Sequence, residues 1–178
     1  MEKIERLSRE QVFQGTILKI YKDHVRFANG YEADWDFIHH MGAAAVVPVL
    51  PDGRILMVRQ YRNALDRFTL ELPAGKLDEE GESKALCAAR ELEEETGYCS
   101  DELEWLINVN TTVAFCDEFI GIFVARNLKP GVRHLDEGEE INVETYTTEE
   151  LTDKILSGEI TDGKTIAALM AYRVKYQA

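Results

Sequence analysis

Residues 72–98 read LPAGKLDEEGESKALCAARELEEETGY, and the character of the chain changes twice within them. Leu72 closes a short apolar run that begins at Phe68. At Pro73-Ala74-Gly75 the backbone must leave a strand ladder, because proline has no N–H to donate and glycine tolerates dihedrals closed to other residues. A loop that carries function fits this position. From Glu82 to Thr96 strong helix formers dominate, and Gly97 supplies the usual left-handed stop. The stretch therefore reads as strand, loop and helix.

At about 100° per residue, Ala85, Ala89, Leu92 and Thr96 fall on one stripe of that helix, and Glu91, Glu94 and Glu95 on a largely opposite side. One face is expected to pack and the other to be anionic. Like charges three and four residues apart repel by a few tenths of a kcal/mol per pair, roughly. Arg90 can reach Glu94, but one guanidinium does not neutralise three carboxylates. A hard divalent cation would, since such ions take oxygen ligands and bridge to phosphates. The competing reading is a solvated acidic helix, common in acidic proteins.

Outward from the helix, the pattern is mixed. Upstream, Val12 to Ile20, Val25 to Phe27 and Trp35 to Ile38 alternate apolar and polar residues around an Asn29-Gly30 turn, which predicts a small antiparallel sheet. The apolar run Ala43 to Leu50, the turn Pro51-Asp52-Gly53 and the run Ile55 to Tyr61 predict a hairpin with a buried first strand. Downstream, strands are expected at Trp105 to Val109, Phe119 to Ala125 and Ile141 to Tyr146, and helices at Thr148 to Ser157 and Thr165 to Tyr176. Thr147 or Thr148 with Glu150 would cap the first of these helices and Gly158 would end it. The expected class is α/β (α+β), a mixed sheet with helices on its faces, with an antiparallel β appendage over residues 1–40 and the main domain over residues 41–178.

Composition narrows the function. A chain of 178 residues has room for one main core and an appendage. With 45% apolar and 30% charged residues and no run near the roughly 18 apolar residues of a membrane span, a soluble protein that does not enter membranes is expected. The amino terminus, MEKIERLSRE, lacks the apolar block of an export signal, so a cytoplasmic location is expected. Cys87, Cys99 and Cys116 are odd in number and without metal-ligand spacing, and Cys87 should pack as a small apolar residue. The net charge of −13 argues against a nucleic-acid partner. The acid concentrates at Asp78 to Glu95 and at Asp136 to Glu144, and two such clusters suggest a divalent cation between them.

Glu82, then seven residues, then Arg90-Glu91-Leu92-Glu93-Glu94-Glu95-Thr96-Gly97-Tyr98 resembles the Nudix box, G-x5-E-x7-R-E-U-x-E-E-x-G-U, where U is a bulky apolar residue. One departure stands at the front, where six residues rather than five separate Gly75 from Glu82. Leu72-Pro73-Ala74-Gly75, Val58-Arg59-Gln60-Tyr61-Arg62 and the stretch from His40-Met41-Gly42 through Ala43 to Val46-Val47-Pro48 are similar to the branch of the family that hydrolyses ADP-ribose and nucleotide sugars. The resemblance extends over roughly residues 20 to 175 and implies a Nudix α/β/α sandwich.

It also implies roles. Glu91 and Glu95 would be the principal ligands of Mg2+, with Mn2+ as a substitute, joined by Glu94 and the Ala74 carbonyl; Glu82 would stand outside them and Arg90 would orient the carboxylates. The loop Asp136-Glu137-Gly138-Glu139-Glu140 resembles one that supplies a general base. Glu137 is expected in that role and Glu139 as a metal ligand, with Glu139 or Glu140 as alternative bases. Arg62, or Arg59 nearby, would contact the substrate diphosphate, and Trp35 and Phe37 the nucleotide base. His39 and His40 are expected to be structural. A homodimer through the amino-terminal sheet is implied as well.

The implied reaction is Mg2+-dependent cleavage of ADP-ribose or a related nucleoside diphosphate sugar into a nucleoside monophosphate and a sugar phosphate. ADP-ribose enzymes of the branch commonly carry a proline after the box, and Asn108 to Val113 contains none, which keeps a GDP-mannose-type hydrolase in contention. Two other classes compete: a non-catalytic Nudix sensor of nucleotide sugars, against which the intact box carboxylates count, and an acidic protein whose helix binds a basic partner.

Overall fold

The computed structural model describes residues 2–79 and 81–177. The chain divides into two compact units, Met1–Gly42 with Asn110–Phe119, and Ala43–Val109 with Ile120–Ala178. The joining of 110–119 to the first unit is a tertiary event that no local residue pattern announces.

In the first unit, β1 (Glu5–Gln14), β2 (Lys19–Arg26) and β3 (Glu32–His39) form an antiparallel meander. The expected stretch Val12 to Ile20 is not one strand. It ends β1, turns where the Gly15 N–H meets the Leu18 carbonyl at 2.8 Å, and begins β2. Alternation alone does not reveal a turn between two strands of similar composition. Asn29-Gly30 turns as expected, with Gly30 at φ 84°. The end of β3 is tied to the 110–119 segment: Asp117 accepts from the His40 N–H and pairs with His39 Nδ1, both at 2.8 Å. These contacts give the two histidines a structural setting.

The second unit holds β4 (Ala43–Pro48), β5 (Ile55–Arg62), β6 (Arg67–Glu71), β7 (Ala74–Lys76), helix α1 (Lys84–Thr96), and short β8 (Tyr98–Cys99). Strands β9 (Glu102–Asn110), β10 (Phe119–Arg126), β11 (Lys129–Pro130) and β12 (Ile141–Tyr146) follow, then helices α2 (Thr148–Leu156) and α3 (Gly163–Tyr176). One sheet runs β7-β4-β10-β9, mixed because β4 is parallel to β10 and antiparallel to β7. Another runs β12-β5-β6, and β11 pairs with β8.

The hairpin expected from residues 43–61 needs correction. The turn exists, closed by Gly53 N–H to Leu50 O at 2.9 Å, but only a single bridge, Val49 to Ile55, joins its arms before they enter different sheets. Both arms are apolar enough to be buried on two faces, so each gains more from its own sheet than from the other arm. Strand β4 shows this directly. Ala43, Ala45 and Val47 belong to the core that includes Leu169 and Tyr172 of α3, and Ala44 and Val46 to the core that includes Cys87, Ala88 and Leu92 of α1. Helices on both faces of a mixed sheet make the α/β/α arrangement.

Helix ends follow their local chemistry. Gly97 stops α1 at φ 75°, and Thr147 and Glu150 form a reciprocal capping box on α2. Among the described residues no helix is long and apolar enough to cross a membrane.

Candidate active site

The site grows from the contact of β7 with α1. Ala74 and Gly75 are held in register with Ala45 and Ala44 of β4. A Cβ on Gly75 would stand 2.0 Å from Glu91 Oε1 and 2.2 Å from its Cδ, so glycine is required here for close approach of a carboxylate. One turn on, Glu95 Oε2 accepts the Ala74 N–H at 3.1 Å.

Both carboxylates are buried, Glu91 at 9% and Glu95 at 4% exposure. This corrects the expected division of α1 into one packed and one anionic face. The packed side comprises Cys87, Ala88, Leu92 and Thr96 together with Glu91 and Glu95, while Ala85 and Ala89 are only half-buried. Residue type assigns glutamate to solvent, but here the neighbouring β7 contributes a backbone with no side chain at Gly75, and carboxylates fill that space. Cys87 is fully buried, as expected.

Arg90 organises the rim. Its Nη1 donates to Glu91 Oε1 at 2.8 Å and to Glu94 Oε2 at 2.9 Å, and its Nη2 to the Lys76 carbonyl at 3.2 Å. Its Nε lies 3.3 Å from the Asp78 carboxylate and 3.7 Å from that of Glu82. Glu82 also accepts the Asp78 N–H at 2.7 Å, closing the loop between β7 and α1. The extra residue before Glu82 falls in this loop, of which Glu80 lies outside the described residues, and the β7–α1 contact forms with it in place.

Burial pushes the Glu91 carboxyl up to about 7 against the charge of Arg90, with Glu94 and Glu139 adding repulsion. Burial and Glu91 push Glu95 up to about 8, despite the Ala74 N–H. A buried carboxylate pair that resists ionisation is what an oxygen-seeking divalent cation would neutralise. The residues thus fit such an ion: two buried carboxylates, the backbone at Ala74 and the nearby Glu94. Among the described residues no group of three or more His, Cys, Asp or Glu side chains stands, as placed, so as to hold a metal ion by itself.

Beside this pair runs a cleft lined by Gln60, Tyr61, Arg62, Phe68, Gly138 and Glu139. Arg62 is fixed by a bidentate pair to Glu71, Nε to Oε1 and Nη2 to Oε2 at 2.8 Å each. Glu71 is 3% exposed and also accepts from Thr69 Oγ1 at 2.7 Å and from Lys164 Nζ. Burial alone would raise its pKa, but Arg62, Lys164 and Thr69 outweigh that and hold it at about 2.

A sequence model of the NUDIX domain matches residues 39–169. The chain belongs to the Nudix family. It is 39% identical over 92% of its length to a methanol dehydrogenase activator of Bacillus methanolicus, covering 89% of that protein. It is 37% identical over 95% of its length to an ADP-ribose pyrophosphatase of Bacillus subtilis, covering 92% of it. Its fold matches the crystal structure of an ADP compounds hydrolase with a TM-score of 0.88 at 22% identity, covering 98% of this chain and 95% of that one.

Placed in this Nudix site, the sequence candidates separate. Glu91, Glu94, Glu95, Ala74 and Arg90 converge. Glu139 lines the cleft and its charge acts on both Glu91 and Glu95; Glu137 is exposed and is not among the residues lining the cleft. Arg59 turns away from Arg62, because residues three apart on a strand face opposite sides, and it pairs with Glu144 at 2.6 Å and Glu159 at 3.3 Å. In the amino-terminal unit, Trp35 is 45% exposed and lines a hollow with Ile20, Ile38 and Phe115. Phe37 has a ring face covered by the Arg9 guanidinium at 3.6 Å, which leaves Trp35 the better stacking surface.

Glu71 and Lys164 were not singled out from the sequence. A charged residue inside the short apolar strand Phe68 to Leu72 is the signal for the first, since glutamate is rarely buried without a partner. Lys164 carries no comparable mark.

The pH response follows from the sign of the Glu71 shift. Its folded pKa lies below the unfolded value, so its stabilisation is complete above about pH 4.5 and is lost as the pH falls toward 2, on the order of 3 kcal/mol across that window. Urea unfolding at pH 6 and pH 3 is expected to show about 2 kcal/mol of this loss in the native chain and a much smaller change in the Glu71→Gln variant.

Proposed function

We propose that this Nudix hydrolase is a divalent-metal-dependent pyrophosphohydrolase acting on ADP-ribose or a related nucleoside diphosphate sugar. The observation that carries the reading is the buried Glu91–Glu95 pair at Gly75, beside a cleft that presents Arg62 and Glu139. Nudix hydrolases generally use divalent metal ions. The name of the Bacillus subtilis relative favours ADP-ribose over GDP-mannose, although Asn108 to Val113 lacks proline.

Glu91, Glu95 and the Ala74 backbone would hold Mg2+ or Mn2+, with Glu94 as a further oxygen donor. When bound, the ion supplies neutralisation of the diphosphate and a lower pKa for water. Arg62 binds a phosphate oxygen, and Arg90 holds Glu91 and Glu94 in place through charge-assisted hydrogen bonds. Glu139, the loop carboxylate whose charge reaches the centre, accepts a proton from the attacking water. Water adds to one phosphorus and the bridging oxygen leaves with the other, giving a nucleoside monophosphate and a sugar phosphate. Trp35 offers the face on which a base would stack.

The same reading includes a homodimer through β1–β3, where Val12 and Phe13 of β1 and Ile17 of the turn that follows it are exposed and apolar. It also includes a reducing, cytoplasmic setting, in keeping with three free cysteines. The Bacillus methanolicus relative is named as an activator of another enzyme, and a partner enzyme is a second reading that hydrolysis does not exclude.

A panel of nucleoside diphosphate derivatives, assayed with Mg2+ for released phosphate esters, is the test. ADP-ribose is expected to give the highest kcat/KM, at least about tenfold above GDP-mannose, a gap of about 1.4 kcal/mol. A preference for GDP-mannose would overturn the substrate assignment. Sedimentation of the same sample should give twice the chain mass of 20.3 kDa.

A further inference from the structure

The first turn of α3 is anchored to the end of β6 with unusual completeness. Thr165, fully buried, accepts the Leu72 N–H on its Oγ1 at 2.9 Å. Asp162 caps the helix by accepting the Thr165 N–H at 3.0 Å, and the same carboxylate oxygen takes Lys164 Nζ at 2.9 Å. The Lys164 side chain is 11% exposed, and its ammonium donates to Glu71 Oε2 as well.

Burying an ammonium is costly, and packing alone would be served as well by an apolar side chain of the same length. The position of Lys164 suggests what the charge achieves. Glu71 is gripped from two sides: Arg62 and Thr69 occupy Oε1, and Arg62 and Lys164 occupy Oε2. Its carboxylate plane therefore cannot rotate. A fixed plane fixes the bidentate Arg62 in turn, spending Nε and one edge of Nη2 on Glu71 and leaving Nη1 for the cleft shared with Glu139. Arg62 and Lys164 balance Glu71 and Asp162 in charge, so the set of four is neutral.

We propose that Lys164 is a positioning residue that acts through Glu71 to hold Arg62 in the orientation that engages a phosphate oxygen of the substrate. This rests on the diphosphate hydrolase reading given above. The hydrogen bonds of Lys164 go to Glu71 and Asp162, and its charge reaches the candidate ligand Glu95 only through space; through Glu71 it sets how ready Arg62 is to bind.

The test is a double-mutant cycle on the full chain, with Lys164→Met, Arg62→Ala and the pair, each assayed on ADP-ribose at saturating Mg2+. Lys164→Met is expected to raise KM about tenfold while kcat changes less than about threefold. In the Arg62→Ala background the same substitution should add less than about twofold, because the residue it positions is gone. A tenfold penalty that persists without Arg62, or an unchanged KM in the single variant, overturns the proposal. Should Lys164→Met fail to fold, as judged by circular dichroism, Lys164→Gln, which keeps a hydrogen-bond donor but no charge, takes its place in the cycle with the same expectations.

If the native chain does not turn over ADP-ribose, the substrate reading fails separately, and the cycle is read from the Kd of inorganic pyrophosphate with Mg2+ by calorimetry. Non-additive losses then still support the positioning role, and additive losses overturn it.

Discussion

Glu95→Gln is expected to lower kcat for Mg2+-dependent hydrolysis on the order of 10³-fold, about 4 kcal/mol, without unfolding the chain. Glutamine keeps the shape of the side chain and an oxygen that can still accept the Ala74 N–H. What it removes is the charge, and in the absence of metal that charge is a burden, since burial and Glu91 already push the carboxyl up to about 8. The metal-free melting temperature is therefore expected to stay level or rise. Mg2+ should then separate native from variant: at a hundred times its Kd a specific ion stabilises the folded state by about 2.7 kcal/mol, and most of that increment should vanish. Thermal melts with and without Mg2+, beside a turnover assay, check both halves. Turnover within a few-fold of native would remove Glu95 from the metal site and with it the reading of the acidic helix.

Gly75→Ala carries the second large effect, and its cause is steric. The backbone there is not left-handed, so an alanine meets no dihedral strain; its Cβ meets Glu91, 2.0 Å from Oε1. Glu91 has little room to yield, because it is buried and tied to Arg90 at 2.8 Å. Either the carboxylate leaves its place or α1 shifts from β7. In both cases Glu91 and Glu95 no longer face the same point, and kcat is expected to fall on the order of 10²-fold, as small misplacements at a catalytic centre do. Near-native kcat, with a crystal structure showing Glu91 undisturbed, would show that the close approach is not needed.

Much of the second unit is legible because its local signals agree with its tertiary setting. Proline and glycine punctuate residues 72–75, Gly97 ends α1, and the continuous apolar run of β4 announces a strand buried on both sides. The Nudix box marks Arg90, Glu91, Glu94 and Glu95 by spacing, and the structure gathers them at β7. The hairpin at Pro51-Asp52-Gly53 is legible as a turn but not as a topology, since nothing local says that β4 and β5 will choose different partners. The stretch Val12 to Ile20 misleads for a related reason: two strand ends and the turn between them share one alternating pattern.

Helix α1 shows the division most clearly. Its residues alone specify that a helix forms, where it stops, and that its carboxylates need a counter-charge, because propensity, capping and like-charge spacing are properties of neighbours in the chain. Which face it buries is another matter. That depends on the absence of a side chain at Gly75, on the Ala74 N–H and on β4 beneath them, and it places Glu91 and Glu95 inside rather than in solvent. The Glu71–Lys164 grip on Arg62 joins residues 93 apart in the chain. Only the fold can make that contact, because its energy comes from burial and charge pairing that exist nowhere in the sequence until the strands and α3 have met.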